Sequence, residues 1–238
     1  MAAKLGIESA FILAGGLGTR LMPLTEKIPK VLIEVNGKPL IQYNIELFKK
    51  FGVSRVVIST GHLGNKIMDY FGNGEKLGME IEYSHSDMML GTGGALGYAR
   101  DLLQGNFFMC NGDELKNIPL ANLLEVHKRN RAVATIALKH VEDVSGFGAM
   151  EMEGERIKRF VENPEKGDEP SHLINSGLYV LSEEIFDFIP AGKASLEYDV
   201  FPRVAGTGRL FGCEFSGQWF PTDTFERLAI ARAQWRGL

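Results

Sequence analysis

Between residues 15 and 30 the chain reads GGLGTRLMPLTEKIPK, a stretch whose residue types suit the handling of phosphate. Gly15, Gly16 and Gly18 carry no Cβ, so backbone N–H groups at these positions can approach an anion closely. Arg20 adds a planar fork that fits phosphate oxygens two at a time, and Lys30 adds a second cation. A glycine-rich turn alone is equally what a tight strand-to-helix connection needs; the two cations favour the phosphate reading. Neither the GxxxxGK[ST] nor the GxGxxG spacing is present, which disfavours a P-loop NTPase and a dinucleotide binder. A second candidate is Asp113 in FFMCNGDEL. It follows a buried apolar run, so its carboxylate belongs at the carboxyl edge of a parallel sheet, where open α/β folds bind ligands. A hard oxygen ligand there suits Mg²⁺. His62, His85, His127, His140 and His172 lack metal-ligand spacing and are read as structural. Cys110 and Cys213 form no CxxC pair, and Trp219 and Trp235 read as packing aromatics.

The elements that must hold these residues follow from hydrophobic periodicity. SAFILA at 9–14 reads as a buried strand and PLIQYNIELFKKF at 39–51 as a core-facing helix. Strands at 55–60, 80–84 and 106–110 alternate with helices at 66–71 and 94–103. That rhythm implies right-handed βαβ crossovers. Beyond a helix at 120–130, the runs at 132–139, 148–152, 157–162 and 178–181 read as strands, with a polar loop at 163–171. TFERLAIARAQW at 224–235 is an amphipathic closing helix with Asp223 or Thr224 as N-cap. The expected fold is α/β, a Rossmann-like, mostly parallel mixed sheet flanked by helices. The 238 residues are expected to form a single domain in two halves, 1–130 and 131–238, the second ending in the closing helix.

GGLGTRL followed by PK resembles the signature of the sugar-1-phosphate nucleotidyltransferase, or sugar-nucleotide pyrophosphorylase, family. Further matches occur in order: GTGGAL at 91–96, NGD at 111–113, Phe147-Gly148, Glu162 in FVENP and NSGLY at 175–179. The resemblance implies a GT-A-like fold for nucleotide-diphospho-sugars, without a C-terminal β-helix domain, in which the first half binds nucleotide and the second sugar. It also implies the assignments that follow. Leu13, Gly15, Gly16, Gly18, Thr19, Gly91, Thr92, Gly93 and Gly112 would bind the nucleotide, with the 91–94 loop reading the base. Arg20 and Lys30 would hold the phosphates, and Gly148, Glu162 and Asn175 the sugar. Asp113 and a second carboxylate would hold Mg²⁺. Relatives carry that second carboxylate in a pattern like WxDxGT, where this chain has WFPTDT, with Pro221 in the usual Asp position. Some cytidylyltransferases look like WxPxDT, so Asp223 is the expected ligand. Many relatives also read EKP where this chain has Asn163, which leaves two alternatives open: Lys166 substitutes for the phosphate-binding lysine, or that charge is missing. Glu197 in SLEYDVFP matches a family element whose role is capping, scaffold or binding.

The implied reaction is attack of a sugar-1-phosphate oxygen on the α-phosphorus of an NTP, with Mg²⁺ as cofactor and pyrophosphate as leaving group. LGTGGAL with NGD looks most like the guanylyltransferases for mannose- or heptose-1-phosphate. CTP, UTP or dTTP with glucose-1-phosphate or another sugar-1-phosphate stays open, as does a catalytically silent regulatory subunit. A glycosyltransferase is disfavoured because no DxD motif is present. The composition, 45% hydrophobic and 24% charged with a net charge of −4, gives no general reason to expect nucleic acid or an anionic membrane as partner. No apolar run of about 18 residues appears and the N-terminus lacks a signal-peptide pattern, so the expected location is the cytoplasm; the sequence does not fix the oligomeric state, and a homodimer is one assembly left open.

Overall fold

The structure is a computed structural model that describes residues 6–238. Residues 1–5, the start of the stretch read above as lacking a leader, lie outside the described residues. The chain runs through β1 (Ser9–Leu13), β2 (Glu34–Val35), β3 (Lys38–Pro39), α1 (Leu40–Lys50), β4 (Arg55–Thr60), α2 (Gly64–Phe71), β5 (Glu80–His85), α3 (Gly91–Tyr98), β6 (Asn106–Asn111) and β7 (Glu114–Lys116). It continues with α4 (Leu120–Arg129), β8 (Ala134–His140), β9 (Gly148–Glu153), β10 (Arg156–Glu162), β11 (Leu173–Ser182), a π-helical turn at Leu196–Val200, α5 (Phe201–Gly206), β12 (Leu210–Glu214), β13 (Trp219–Pro221) and α6 (Phe225–Gln234).

Two compact units divide the chain. The first comprises residues up to Met89, Met109–Ile118 and Gly217–Leu238. Its sheet order is β5-β4-β1-β6, with β1, β4 and β5 parallel. β1 and β4 are buried almost throughout, because helical crossovers cover both faces of a parallel sheet. Beside the sheet, Leu21, Ile33, Leu40, Tyr43, Leu115, Leu228 and Trp235 form one buried cluster. The cluster anchors the segment after the glycines (Leu21) to α1 and to α6. Thr224 caps α6, its hydroxyl accepting from Arg227 N–H at 3.2 Å. The antiparallel β7–β13 hairpin pairs Trp219 with Lys116 and Pro221 with Glu114.

The second unit comprises Leu90–Phe108 and Pro119–Ser216. Its strands run in the order β11-β8-β12-β10-β9. β12 is parallel to β8, while β11–β8, β10–β12 and β10–β9 are antiparallel. The register of β11 on β8 shifts between Asn175 and Tyr179, which turns Asn175 out of a strand that is otherwise buried. The helix expected at 94–103 instead starts at Gly91 and ends at Tyr98, followed by a separate 3₁₀ turn at Arg100–Leu102. Its early start has a packing cause: the N–H groups of Gly93 and Gly94 both donate to Ala194 O, at 2.9 and 3.1 Å. The loop at 163–171 carries no helix or strand, as its Pro and Gly content indicates.

Candidate functional site

The phosphate-directed residues of the first unit emerge from the end of β1. Leu13 closes that strand, and its carbonyl accepts Gly112 N–H at 2.9 Å, which brings the NGD turn beside the glycine loop. Gly18 has φ 64°, and a Cβ there would meet Thr25 Cγ2 at 2.9 Å, so the turn requires glycine. Thr25 Oγ1 donates to Gly18 O at 2.9 Å and pins the loop from below. Gly15, Gly16 and Thr19 are exposed, and nothing lies within 4 Å of a Cβ placed on Gly16, so the loop surface is open to a ligand. Arg20 and Lys30 each sit in a short 3₁₀ turn, Thr19–Leu21 and Lys30–Leu32.

Each of these cations meets one of the two candidate metal carboxylates. Lys30 Nζ is in contact with Asp113 Oδ2. Arg20 pairs with Asp223 Oδ2 at 2.6 Å, and Arg227, one turn into α6, holds Asp223 Oδ1 at 2.9 Å. Burial pushes the Asp223 carboxyl up, but the Arg227 hydrogen bond and charge, with Arg20, outweigh it and leave the group below its ordinary value. Arg20 is 70% exposed at its side chain and Lys30 only 10%, so Arg20 is the one free to swing toward a ligand.

The two carboxylates are tied together through the hairpin. Asp113 precedes β7 and Asp223 follows β13; between them, Thr222 Oγ1 donates to Asp113 O at 2.6 Å. Behind the hairpin lies a network that the residue spacing did not reveal. Lys116, fully buried, pairs with Glu114 Oε2 at 3.1 Å and donates to Asn111 O at 3.3 Å. Glu114 also accepts from Asn111 Nδ2 and from Trp219 Nε1, both at 3.2 Å. Asn44 of α1 donates to Glu114 O at 3.0 Å. Trp219, expected to be a packing aromatic, is therefore also a hydrogen-bond donor in this network. The readable signal was ELK directly after the aspartate, because residues two apart on a strand share a face. Asp113 and Asp223 supply hard oxygen donors of the kind Mg²⁺ takes in small number beside substrate phosphates, so the donor set fits that ion. Among the described residues no group of three or more His, Cys, Asp or Glu is gathered for a metal.

In the second unit the GTGG segment opens α3. Gly91 has φ 71°, and a Cβ on it would collide with Ala194 O. Gly93 is committed by its N–H to Ala194 O, as described above. Thr92 Oγ1 donates to Glu197 Oε2 at 2.7 Å and accepts from Leu196 N–H at 2.8 Å. The expected sugar ligands lie on three strands. Gly148 begins β9 beside Glu162 at the end of β10, and a Cβ on Gly148 would meet Phe160 Cζ at 2.6 Å as well as the Glu162 carboxylate. Burial and the neighbouring charge of Glu197 push Glu162 up to about 7. Asn175 Nδ2 donates to Tyr179 OH at 2.9 Å, and its Oδ1 accepts Gly177 N–H at 2.9 Å. Asn163, at φ 48°, donates to Tyr198 OH at 3.3 Å. Lys166 is exposed in the 163–171 loop. The histidines behave as structural groups where their surroundings are resolved. His127 is buried against Thr135 Oγ1 at 3.0 Å, and burial lowers it to about 4.

A glycine loop with paired cations and two carboxylates beside the carboxyl edge of a parallel sheet is where open α/β proteins place their ligand sites. Residues 9–235 match the family model described as nucleotidyl transferase, and the chain belongs to that family. It is 38% identical over 216 residues to mannose-1-phosphate guanyltransferase beta-B of Xenopus laevis, a match covering 88% of this chain and 59% of that protein. The chain thus spans about six tenths of the length of the curated relatives it matches. Among solved structures, a Bacillus anthracis protein described as a glucose-1-phosphate thymidylyltransferase, in complex with sucrose, superposes with TM-score 0.88. It shares 26% identity, covering 97% of this chain and 96% of that one. HddC from Yersinia pseudotuberculosis, complexed with GMP-PN, superposes with TM-score 0.82 at 26% identity, covering 97% of this chain and all of the other. These neighbours carry the α/β fold expected from the strand and helix rhythm. Among the described residues no helix is long and apolar enough to cross a membrane.

Proposed function

We propose that the chain transfers a nucleotidyl group from an NTP to a sugar-1-phosphate and releases pyrophosphate, with GTP as donor and mannose-1-phosphate as acceptor. The observation that carries this reading is the pairing of Lys30 with Asp113 and of Arg20 with Asp223 beside an open glycine loop. Cations held on carboxylates are pre-positioned but only partly committed. A polyphosphate offers them more negative charge at the same distance, so Arg20 and Lys30 transfer to phosphate oxygens without a large rearrangement. Arg20 then holds the departing phosphates together with the Gly15–Thr19 backbone, and Lys30 neutralises charge near the α-phosphate. Asp113 and Asp223 are the residues that would hold Mg²⁺, which when bound supplies further neutralisation of phosphate charge. The nucleophile is already an anion, so no general base is required. Catalysis is positioning plus electrostatic stabilisation.

The choice of GTP and mannose-1-phosphate is supported by the relatives at 36–38% identity, which are mannose-1-phosphate guanylyltransferases by name. A heptose-1-phosphate acceptor is the nearest alternative, and the WFPTDT segment is the reason to include CTP in the test. On the acceptor side, Glu162 accepts a pair of sugar hydroxyls, with Gly148 allowing the Glu162 carboxylate and the Phe160 ring to pack against its backbone and Asn175 on the neighbouring strand. A cytoplasmic location and a homodimer complete the reading. The test is a matrix of GTP, CTP, UTP, dTTP and ATP against mannose-, heptose-, glucose- and amino-sugar-1-phosphates with pyrophosphate release as readout. GTP with mannose- or heptose-1-phosphate should give the highest kcat/KM; no turnover anywhere in the matrix, with tight nucleotide binding retained, would establish a silent regulatory subunit instead.

A further inference from the structure

The turn at Leu196–Val200 is held on two sides. On one side it is clasped to the opening of α3: Thr92 donates to Glu197 Oε2, Leu196 N–H donates to Thr92 Oγ1, and Ala194 N–H donates to Leu90 O at 2.9 Å. Glu197 is itself locked by Ser195, whose hydroxyl donates to Oε2 at 2.7 Å and accepts Glu197 N–H at 3.1 Å. Gly91, Gly93 and Gly94 allow this approach, because a Cβ on Gly91 or Gly94 would collide with the carbonyl of Ala194 or Gly192 and one on Gly93 would lie 3.2 Å from Ser195 C. On its other side Tyr198 of the turn accepts from Asn163 Nδ2, just past β10, at 3.3 Å, and Phe201, directly after the turn, packs its ring on Phe160 of β10 with centroids 5.7 Å apart.

We propose that Glu197 is a positioning residue shared by the two substrate sets, fixing the opening of α3 through Thr92 and facing Glu162 on β10, so that the Thr92 hydroxyl serves this clasp and not a base edge, and the glycines serve the close approach to the Ala194 and Gly192 carbonyls. This inference rests on the proposed function only for which substrates bind at α3 and β10. Thr92 has one hydroxyl proton, and it is given to Glu197. The carboxylate then has a second role, because its charge opposes ionisation of Glu162, which stands near 7. The other charged groups on elements packed against β10 are Glu151 and Glu153 on β9, Glu214 on β12, Arg203 on α5 and Asp199 on the turn. Beside burial, Glu197 is the charge that raises Glu162. Asp199 is occupied in accepting Ser195 N–H at 2.7 Å.

The experiment has two arms. In the first, which needs no turnover, the Glu162 carboxyl is titrated by ¹³C NMR in the wild-type chain and in Glu197→Gln, with Glu162→Gln to assign the signal. Amide exchange at Leu196 is followed in Thr92→Val and Thr92→Ser. The Glu162 midpoint should fall in Glu197→Gln, and Leu196 should exchange roughly tenfold faster in Thr92→Val but not in Thr92→Ser. In the second arm, Thr92→Val should raise KM for both NTP and sugar-1-phosphate by roughly tenfold, more than it lowers kcat, and Thr92→Ser should restore both. Glu197→Gln should move the acid limb of kcat/KM for the sugar-1-phosphate to lower pH, a shift that a purely structural role would not produce. An unmoved Glu162 midpoint, or Leu196 protection that survives Thr92→Val, overturns the clasp. If the wild-type chain turns over no substrate pair, the function fails while the first arm still decides the inference.

Discussion

At the scale of single residues the chemistry turns on charges that are matched before any substrate arrives. With a net charge of −4, the anionic substrates proposed for the chain would be attracted only by local groups, and the proposal assigns that role to Arg20 and Lys30. Lys30→Ala should therefore lower kcat by about 10²- to 10³-fold with a smaller effect on KM, measured by steady-state pyrophosphate release. Arg20→Ala, at an exposed side chain, should show most of its loss in KM for the NTP. Glu162 supplies a pH dependence of stability with a defined sign. Its protein value of about 7 lies above the ordinary carboxylate value, so between those two values the folded state holds more protons than the unfolded state and stability falls as pH rises. Glu162→Gln should thus gain Tm over the wild-type chain at pH 8 and not at pH 4, in thermal unfolding scans. His127 adds the opposite trend at acid pH. Lowered to about 4, it makes the unfolded state the stronger proton binder below its ordinary value, so stability falls as pH drops from 6.5 toward 4.

At the scale of elements the antiparallel β7–β13 pair matters most, because Glu114 lies opposite Pro221 and the pair therefore carries Asp113 and Asp223 at the same end. Glu114 is its central acceptor, and removing its charge strands the buried Lys116 ammonium. Glu114→Gln should cost about 3 kcal/mol in urea unfolding and raise the Mg²⁺ concentration needed for half-maximal rate. Thr224→Ala removes the cap of α6 and should cost about 1 kcal/mol. How much of this could be read in the sequence depended on periodicity. Long buried runs such as 9–13 and 55–60 and the amphipathic helix at 40–50 declared themselves, because their side-chain period matches their secondary structure. β12 did not, since LFGCE between polar flanks is only five residues long and is stabilised by pairing with β8 from far along the chain. The hairpin strands are three residues each, too short for any period to show. The site residues were legible as types, yet their pairings were not: the contacts of Lys30 with Asp113 and of Thr92 with Glu197 span 83 and 105 positions.

At the scale of the whole molecule, the phosphate and carboxylate groups belong to the first unit and the α3 opening, Glu162 and Asn175 to the second. The first unit holds a parallel sheet with the glycine loop at its carboxyl edge, an arrangement that serves triphosphate binding in many α/β proteins. The second unit mixes parallel and antiparallel strands, and its bulge at Asn175 and turn at Glu197 carry polar groups of the kind the proposed sugar-phosphate acceptor would need. The departures from the family pattern divide between the units in the same way. Pro221 and Asp223 alter the metal side, where Asp223 is nonetheless held by two arginines. Asn163 alters the acceptor side, where its amide is engaged by Tyr198.

The most direct test of the account is Mg²⁺-dependent pyrophosphate release from GTP and mannose-1-phosphate by the wild-type chain and by Asp223→Ala. The account predicts turnover by the wild-type chain that EDTA abolishes, with a loss of at least about 10²-fold in the variant while it remains folded. Near-normal rates in Asp223→Ala would contradict the metal assignment, and no release by the wild-type chain from any NTP and sugar-1-phosphate pair would contradict nucleotidyl transfer itself.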